Sequence, residues 1–391
     1  MTAKILAFDA ETTYCNDPMP WNREAELVIY SVADGDNTCT YTFNHSEKIG
    51  DVFEIARLSK AVYEADLLVG HNMSLDLHWL TFLGIEWQDK TIYDTKIAQY
   101  MIDGQNKKLG DSLNELRARF NLPLKDEQIA SMWKAGIQTR DIPYDILSSY
   151  CEADASTTLK IYNLQQSMIK VRGLSKLVSL HMELRKELCI AEYNGMAFDI
   201  QLAEDVGSEL SARMMEIEVE LRLLLDWPDI NLNSSDQISC AMFGGTLMVD
   251  GEEWVIRTLK NVSKYYTRHA KVPLEIKGLG FKPPKGLKIN DKGIYSTDAK
   301  TVLAALKPTN KKQKRFIDLL REYNGYAKQL STYCDGLSKK ATDGILHPRF
   351  HQTTTATGRL SSSSPNGQNV PRTGNAPVKK FFRSRYTKGG M

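Results

Sequence analysis

No aspartate or glutamate occurs between Gly344 and Met391, although the 391-residue chain holds 48 of them. Eight lysines and arginines lie in that stretch, a balance of +8. Residues 171–343 hold 26 basic and 23 acidic side chains, a balance of +3, and residues 1–170 hold 16 and 25, a balance of −9. The net charge of +2 therefore conceals an acidic front and a purely basic tail. That division suggests catalysis at one end and phosphate binding at the other, with a solvated end as the bland alternative for the tail. Cysteine is sparse and scattered. Cys15, Cys39, Cys151, Cys189, Cys240 and Cys334 include no C-x-x-C pair. This argues against a zinc site and a disulfide framework and fits a reducing compartment. Long apolar runs are missing as well. None approaches the roughly 18 residues of a membrane span, and the N-terminal run is too short for a signal peptide and holds Asp9. The expected location is the cytoplasm. The length calls for two or three domains. Hydrophobic residues at 42% and charged residues at 25% are ordinary for a soluble globular chain.

The first chemistry-bearing stretch is Lys4–Thr13, KILAFDAETT. Ile5 to Phe8 is a short apolar run, as expected of a strand buried on both faces. Positions i and i+2 of a strand share a face, so Asp9 and Glu11 stand side by side. Two carboxylates forced together on a buried element repel each other and are costly to desolvate. A divalent cation between them removes that cost, and oxygen ligands suit Mg²⁺ or Mn²⁺. A pair of solvated carboxylates in a turn is the alternative, and a lone D-x-E does not separate the two.

Strand and helix signals alternate from residue 4 to about 170. Val28–Ala33 and Cys39–Phe43 read as a hairpin around Asp34-Gly35-Asp36-Asn37. Phe53–Ala65 has helical spacing, and Leu67–Gly70 reads as a short buried strand. After the turn His71-Asn72, Ser74 is the expected N-cap of a helix through Leu83, with Asp76 in its first turn. Pro143 opens a helix running to about Gln166. Tyr150 and Asp154 are four apart on it and share one face. The pattern predicts an α/β fold with a mixed sheet flanked by helices. Sites in such sheets gather where strands end and helices begin, and Asp9, Glu11, Asp76 and Asp154 can all be brought there.

This constellation resembles the DEDD exonuclease superfamily, which has a ribonuclease-H-like fold. Its D-x-E motif matches Asp9 and Glu11. Its second motif, Asn four residues before Asp, matches Asn72 and Asp76. Its third, Tyr-x-x-x-Asp, matches Tyr150 and Asp154 and points to the DEDDy branch. The resemblance implies 3′–5′ hydrolysis of a DNA strand end with two divalent metal ions, Mg²⁺ or Mn²⁺. Asp9 would bridge both ions, Glu11 and Asp154 would complete one shell, and Asp76 the other. Tyr150 would orient the attacking water, with a packed core tyrosine as the alternative. Asp94, in an Asp-Thr pair, reads as structural, and Asn72 as a contact to DNA.

From Gly173 the chain reads as long helices, with apolar stripes through Leu177–Ala191 and Val206–Leu224. Asn194-Gly195 ends one helix and Asp199 caps the next. Ser234 or Ser235 caps a short helix through Phe243. Residues 244–298 read as an irregular insert, Gly- and Pro-rich, with basic residues and the aromatics Trp254, Tyr265, Tyr266 and Phe281. Nucleic-acid contact and a flexible insert are both open there. Thr309–Lys339 reads as one long helix or two abutting ones. Lys311, Lys312, Lys314 and Arg315 stand at its start, where cations oppose the helix dipole.

His347 to Pro371, HPRFHQTTTATGRLSSSSPNGQNVP, is polar with few core candidates. Small hydroxyls, amides and arginine suit contacts to phosphate and sugar without base reading. The run resembles a signature of family A DNA polymerases, the family of bacterial DNA polymerase I and several phage replicases. The resemblance implies that Thr355, Thr357, Arg359, Asn366, Gln368 and Asn369, with Gly358, Leu360, Pro365 and Pro371, contact a primer–template duplex. It implies an exonuclease domain over 1–172, a helical thumb over 173–345 and the start of a palm over 346–391. No palm metal-binding aspartate or nucleotide-binding lysine of that family follows within these residues. The expectation is a split polymerase, phage-like, whose second polypeptide carries palm and fingers, or else a truncation. Rival readings are a ribonuclease D-type RNA exonuclease and a non-catalytic DNA-holding subunit.

Overall fold

The computed structural model describes residues 3–125, 127–259, 262–287, 289–290, 293–298, 302–370 and 378–384. The chain divides into two compact units. The first holds residues 1–198, 340–370 and 382–391, and the second holds residues 199–339 and 371–381. The expected boundaries near 172 and 346 both fall inside the first unit. Among the described residues no helix is long and apolar enough to cross a membrane.

The first unit begins with β1 (Ile5–Thr12), β2 (Leu27–Asp34) and β3 (Asn37–Thr42), followed by α1 (Val52–Glu64) and β4 (Leu67–Gly70). Next come α2 (Ser74–Phe82), β5 (Thr91–Asp94) and α3 (Thr95–Ile102). Five strands form one mixed sheet in the order β3-β2-β1-β4-β5. β1 is antiparallel to β2, and β4 and β5 run parallel to it. The β2–β3 hairpin turns through Gly35 at φ 63°, a conformation that glycine adopts without strain. Pairing of β1 with β2 continues to Thr12, but its ladder with β4 ends at Ala7–Val69. Asp9 and Glu11 therefore overhang the end of β4, where the chain leaves the sheet for α2.

The turn into α2 is fixed by Asp94 rather than by Ser74. Met73 occupies the N-cap position without a side-chain bond, and Ser74 is the first helical residue. Asp94 instead accepts the backbone N–H groups of Asn72 and Met73 at 3.0 Å each, and those of Lys96 and Ile97 as the N-cap of α3. One buried carboxylate thus ties two βα turns together, as expected of a structural Asp94. Asn72 sits at φ 59°, a left-handed position that asparagine tolerates. Gly70 just before it is packed so closely that a Cβ would lie 2.5 Å from that of Met73.

Helices α4 (Leu113–Arg119) and α5 (Glu127–Lys134) precede the 28-residue α6 (Tyr144–Val171). α6 follows Pro143 and packs across β1 and β2. The core joins Phe8, Leu68, Leu77, Trp87 and Ile92 to Ala155 and Leu159 of α6. α7 (Ser175–Asn194) belongs to the same unit and ends at Gly195, φ 63°. β6 (Met196–Phe198) follows.

The second unit opens with α8 (Ile200–Leu225), capped by Asp199, and α9 (Ser235–Phe243), capped by Ser234. The expected irregular insert is regular over its first part. β7 (Gly245–Leu259) and β8 (Val262–Ile276) pair antiparallel in continuous register from Gly245–Ile276 to Leu259–Val262. Pro273 is tolerated because both strands of a two-stranded ribbon are edges. The side chains of Trp254, Tyr265 and Tyr266 lie outside the described residues, and so does Pro371. α10 (Lys311–Gln329) passes through a π turn at Leu330–Cys334 into α11 (Asp335–Ser338). Phe316, Leu320 and Tyr323 pack with Ile217, Leu221 and Met242. At the start of α10, Arg315 is held by two hydrogen bonds to Glu220 of 2.5 and 2.6 Å.

The remaining strands return to the first unit. β9 (Ile345–Leu346) and β12 (Phe382–Arg383) both pair with β6, while β10 (Arg349–His351) pairs with β11 (Ser361–Ser363).

Candidate active site

Three elements of the first unit bring the four acidic side chains together. β1 contributes Asp9 and Glu11, partly buried on one face. Asp76 comes from the first turn of α2 and is 6% exposed, and Asp154 comes from α6 and is 2% exposed. Their proximity shows in their acidity. Burial, followed by the charges of Asp154, Glu11 and Asp76, pushes the Asp9 carboxyl far above the carboxylate range. Burial raises Glu11 to about 7, with Asp154 adding to the rise and Lys125 opposing it. Asp76 is raised by burial and by Asp94 and Glu11, against the lowering effect of backbone hydrogen bonds. The cluster holds more negative charge than its surroundings stabilise.

Side chains outside the three motifs complete the site. The two oxygens of Asp154 are shared between Arg117 at 2.5 Å and Lys125 at 2.6 Å. Lys125 also lies 4.0 Å from the ring centroid of Tyr150. Cys151 donates its thiol to the backbone oxygen of Asp9 at 3.2 Å, and its sulfur lies 3.6 Å from Asp9 Oδ2. Ligand atoms of Asp9, Glu11 and Cys151 all lie within 4.8 Å of one another. Tyr30 of β2 is fully buried, and its hydroxyl has no hydrogen-bond partner among the described residues. Burial and the charges of Asp76 and Asp9 keep that hydroxyl protonated. Burial and Glu11 likewise raise the Tyr150 phenol.

The second group of sequence-singled residues lies elsewhere in the same unit. The loop from β10 to β11 is closed locally, with Thr355 Oγ1 donating to Arg359 O at 2.7 Å. Tyr100 donates its hydroxyl to Thr355 O at 2.5 Å. Thr357, Arg359, Asn366, Gln368 and Asn369 are exposed, and Thr355 is half-buried. Asn366 caps the short turn at Gly367–Asn369 by accepting the Gln368 N–H. Asn72 lies in the turn before α2 that carries Asp76, where its backbone N–H donates to Asp94 at 3.0 Å.

Residues 2–170 match the family model described as 3′-5′ exonuclease, and residues 200–388 match the model described as DNA polymerase family A. The chain belongs to DNA polymerase family A. Among its family A relatives, DNA polymerase I of Rhizobium leguminosarum is 25% identical over 94% of this chain and 34% of its own length. DNA polymerase I of Pseudomonas aeruginosa is 25% identical over 94% of this chain and 37% of its own length. The thermostable DNA polymerase I of Thermus filiformis is 33% identical over 50% of this chain and 19% of its own length. The chain thus spans about a third of the length of the two relatives that cover most of it. In fold it resembles the polymerase domain of Pol1 from M. smegmatis, solved with a DNA primer-template and dNTP. The TM-score is 0.66 at 19% identity, covering 98% of this chain and 55% of that one.

Within this family A chain the D-x-E, Asn-x-x-x-Asp and Tyr-x-x-x-Asp spacings directed attention to Asp9, Glu11, Asp76, Tyr150 and Asp154. They did not reach Arg117, Lys125, Cys151 or Tyr30. Arg117 lies 37 residues from Asp154 and carries no local signature. Cys151 could have been found, since it follows Tyr150 on a helix facing β1. The donor set suits a hard divalent cation. It consists mainly of carboxylate oxygens whose mutual repulsion a cation would relieve. The orphaned Tyr30 hydroxyl leaves a buried hydrogen-bonding group beside the cluster to be satisfied.

Proposed function

We propose that the first unit is a metal-dependent 3′–5′ exonuclease of the DEDDy type, acting on DNA strand ends as the proofreading part of a family A polymerase. The observation that carries this reading is the convergence of Asp9, Glu11, Asp76 and Asp154 in one site, with the first three raised in pKa by burial and one another. The four carboxylates would hold two divalent ions, Mg²⁺ or Mn²⁺. When bound, such ions supply an activated water and stabilise charge on the leaving oxygen. The chain's own residues bind and orient. Tyr150, kept protonated by burial, donates a hydrogen bond to the attacking water rather than removing its proton. Lys125, between Asp154 and Tyr150, brings positive charge to the phosphate side of the carboxylates. Arg117 fixes the rotamer of Asp154. Thr355, Thr357, Arg359, Asn366, Gln368 and Asn369 would hold the primer–template duplex by backbone contacts, and Asn72 would touch the strand end.

The test uses a 5′-labelled DNA oligonucleotide in Mg²⁺. Wild type should shorten it from the 3′ end one nucleotide at a time, and Asp9→Ala or Glu11→Ala should not. Full activity in either variant would remove the assignment. RNA of the same sequence should be a poor substrate, and a preference for it would favour the ribonuclease D reading. One observation favours a silent, DNA-holding site. Both oxygens of Asp154 already have cationic partners. A Mg²⁺ and Mn²⁺ titration with no cleavage would establish that reading. Polymerisation is proposed only for this part joined to palm and fingers residues, with a second polypeptide as one source. Primer extension on co-expression with such a polypeptide tests this.

A further inference from the structure

A second group of buried side chains in the first unit carries metal-ligating chemistry. His78 of α2 offers a ring nitrogen, and Cys189 and Glu192 of α7 offer a thiol sulfur and a carboxylate oxygen. These ligand atoms all lie within 4.8 Å of one another, and none of the three residues is more than 1% exposed. Cys189 and Glu192 are three apart on a helix and so share a face. His78 lies 114 residues from Glu192, so no sequence spacing announces the set. His78 is also two residues after Asp76 on α2. Residues two apart on a helix do not face each other, so the set lies on a different side of α2 from the carboxylates.

The contacts around these three residues are incomplete. His78 Nε2 lies 2.9 Å from Glu192 Oε2, but His78 Nδ1 has no hydrogen-bond partner among the described residues. The rings of Trp21 and Tyr193 pack on His78 at centroid distances of 5.0 and 6.1 Å and hold the imidazole in place. One charge opposes a cation here. Arg185 stands 2.8 Å from Glu192 Oε1 and reaches the Cys189 sulfur, and its Nε has no partner among the described residues. Binding of a divalent ion displaces the Cys189 thiol proton to solvent. The thiolate and the Glu192 carboxylate then neutralise the ion, and the thiolate becomes a charged acceptor for the guanidinium.

Sulfur, imidazole and carboxylate together suit Zn²⁺, which binds them at about 2.0–2.3 Å in a tetrahedron. Ligand atoms in such a tetrahedron stand about 3.3–3.7 Å apart, so the His78–Glu192 contact needs to open by only a few tenths of an ångström. A cavity of about 230 Å³, lined in part by Lys96, Arg185, Glu192 and Arg349, gives an entry path and room for a water in the fourth position.

We propose that His78, Cys189 and Glu192 form a Zn²⁺ site, separate from the carboxylate site, that pins α2 to α7. Glu192 also accepts the Phe350 N–H at 2.6 Å, so the ion would steady β10 as well.

The probe is Co²⁺, added to the full chain and followed by absorbance. A thiolate-to-cobalt charge-transfer band in the near ultraviolet should appear at one equivalent. Cys189→Ser should abolish it without changing the circular dichroism spectrum, and Cys151→Ser, altered at the carboxylate site, should keep it. Competition by Zn²⁺ against a chelator should show affinity more than about 100-fold weaker in His78→Gln, since loss of a group merely behind a ligand costs 10–100-fold. In Asp9→Ala, which lacks a carboxylate-site ligand, a stoichiometric amount of Zn²⁺ should still raise the melting temperature. A wild type with no charge-transfer band would overturn the proposal. So would a band lost in Cys151→Ser and kept in Cys189→Ser, or no rise in the Asp9→Ala melting temperature.

Discussion

The carboxylate site and the Thr355–Asn369 segment belong to the same unit but are built on opposite terms. The first is buried and electrostatically strained, with the pKa values of Asp9, Glu11 and Asp76 all raised above the ordinary carboxylate range. The second is largely exposed, and its polar groups close their own turns, as Thr355 does with Arg359 and Asn366 with Gln368. A strained site stores a demand for a ligand, because bringing in a counter-charge relieves repulsion already present. A self-satisfied surface gains from a partner only by adding contacts. Removing a residue should therefore be costly to chemistry in the first region and graded in the second.

The sharpest test of that contrast is Asp9→Ala. Loss of a hydrogen-bond partner behind a metal ligand typically costs 10–100-fold, so loss of a ligand should reduce nucleotide release by more than about 100-fold. Binding of a primer–template duplex should change less than about 2-fold, measured by fluorescence anisotropy. Comparable losses in both assays would erase the distinction between the regions.

Asp94→Ala tests whether the carboxylate site depends on its scaffold. The change removes the α3 cap and leaves the Asn72 and Met73 N–H groups without their acceptor. A cap is worth about 1 kcal/mol and a buried unpaired donor about 1–3. Unfolding in urea should show a loss of about 3 kcal/mol, with exonuclease activity falling in parallel because Asp76 follows that turn.

The pH dependence has a definite sign. Glu11 titrates near 7 in the folded chain, above its ordinary value, and Asp9 and Asp76 are raised as well. The folded state therefore binds more protons than the unfolded state between the ordinary carboxylate range and about pH 7. Stability of the metal-free protein should fall as pH rises through that window. A melting temperature that drops by a few degrees between pH 5.5 and 8, and recovers on adding Mg²⁺, is the expected result. A flat profile would mean that the cluster is not strained.

The smallest effect belongs to the exposed segment. Arg359→Ala should lower the salt slope of duplex binding by about 0.9, one phosphate contact. Cleavage of a single strand should not change. A large loss of cleavage would show that the two regions are coupled more tightly than their construction implies.

Much of the fold was legible because it is local. The Asp9–Glu11 face follows from strand alternation, the Tyr150–Asp154 face from helix spacing, and the caps at Asp199 and Ser234 from side-chain chemistry. The β7–β8 ribbon was not recognised, because Gly251 and Pro273 interrupt its apolar alternation. Its regularity comes from pairing across the ribbon, where each strand supplies the other's hydrogen-bond partners. Ser74 was misplaced by one residue because a carboxylate from β5 performs the work expected of a local cap.

The sequence by itself determined which acids could share a face and how the basic charge is distributed along the chain. Backbone geometry sets those periods within a few residues of each acid. Only the tertiary structure decided that Arg117 and Lys125 meet Asp154, that the Tyr30 hydroxyl finds no partner among the described residues, and that Lys96, Arg185 and Arg349 line one cavity. Coulomb energy and desolvation depend on separation and burial in space, and the order of residues along the chain does not contain either quantity.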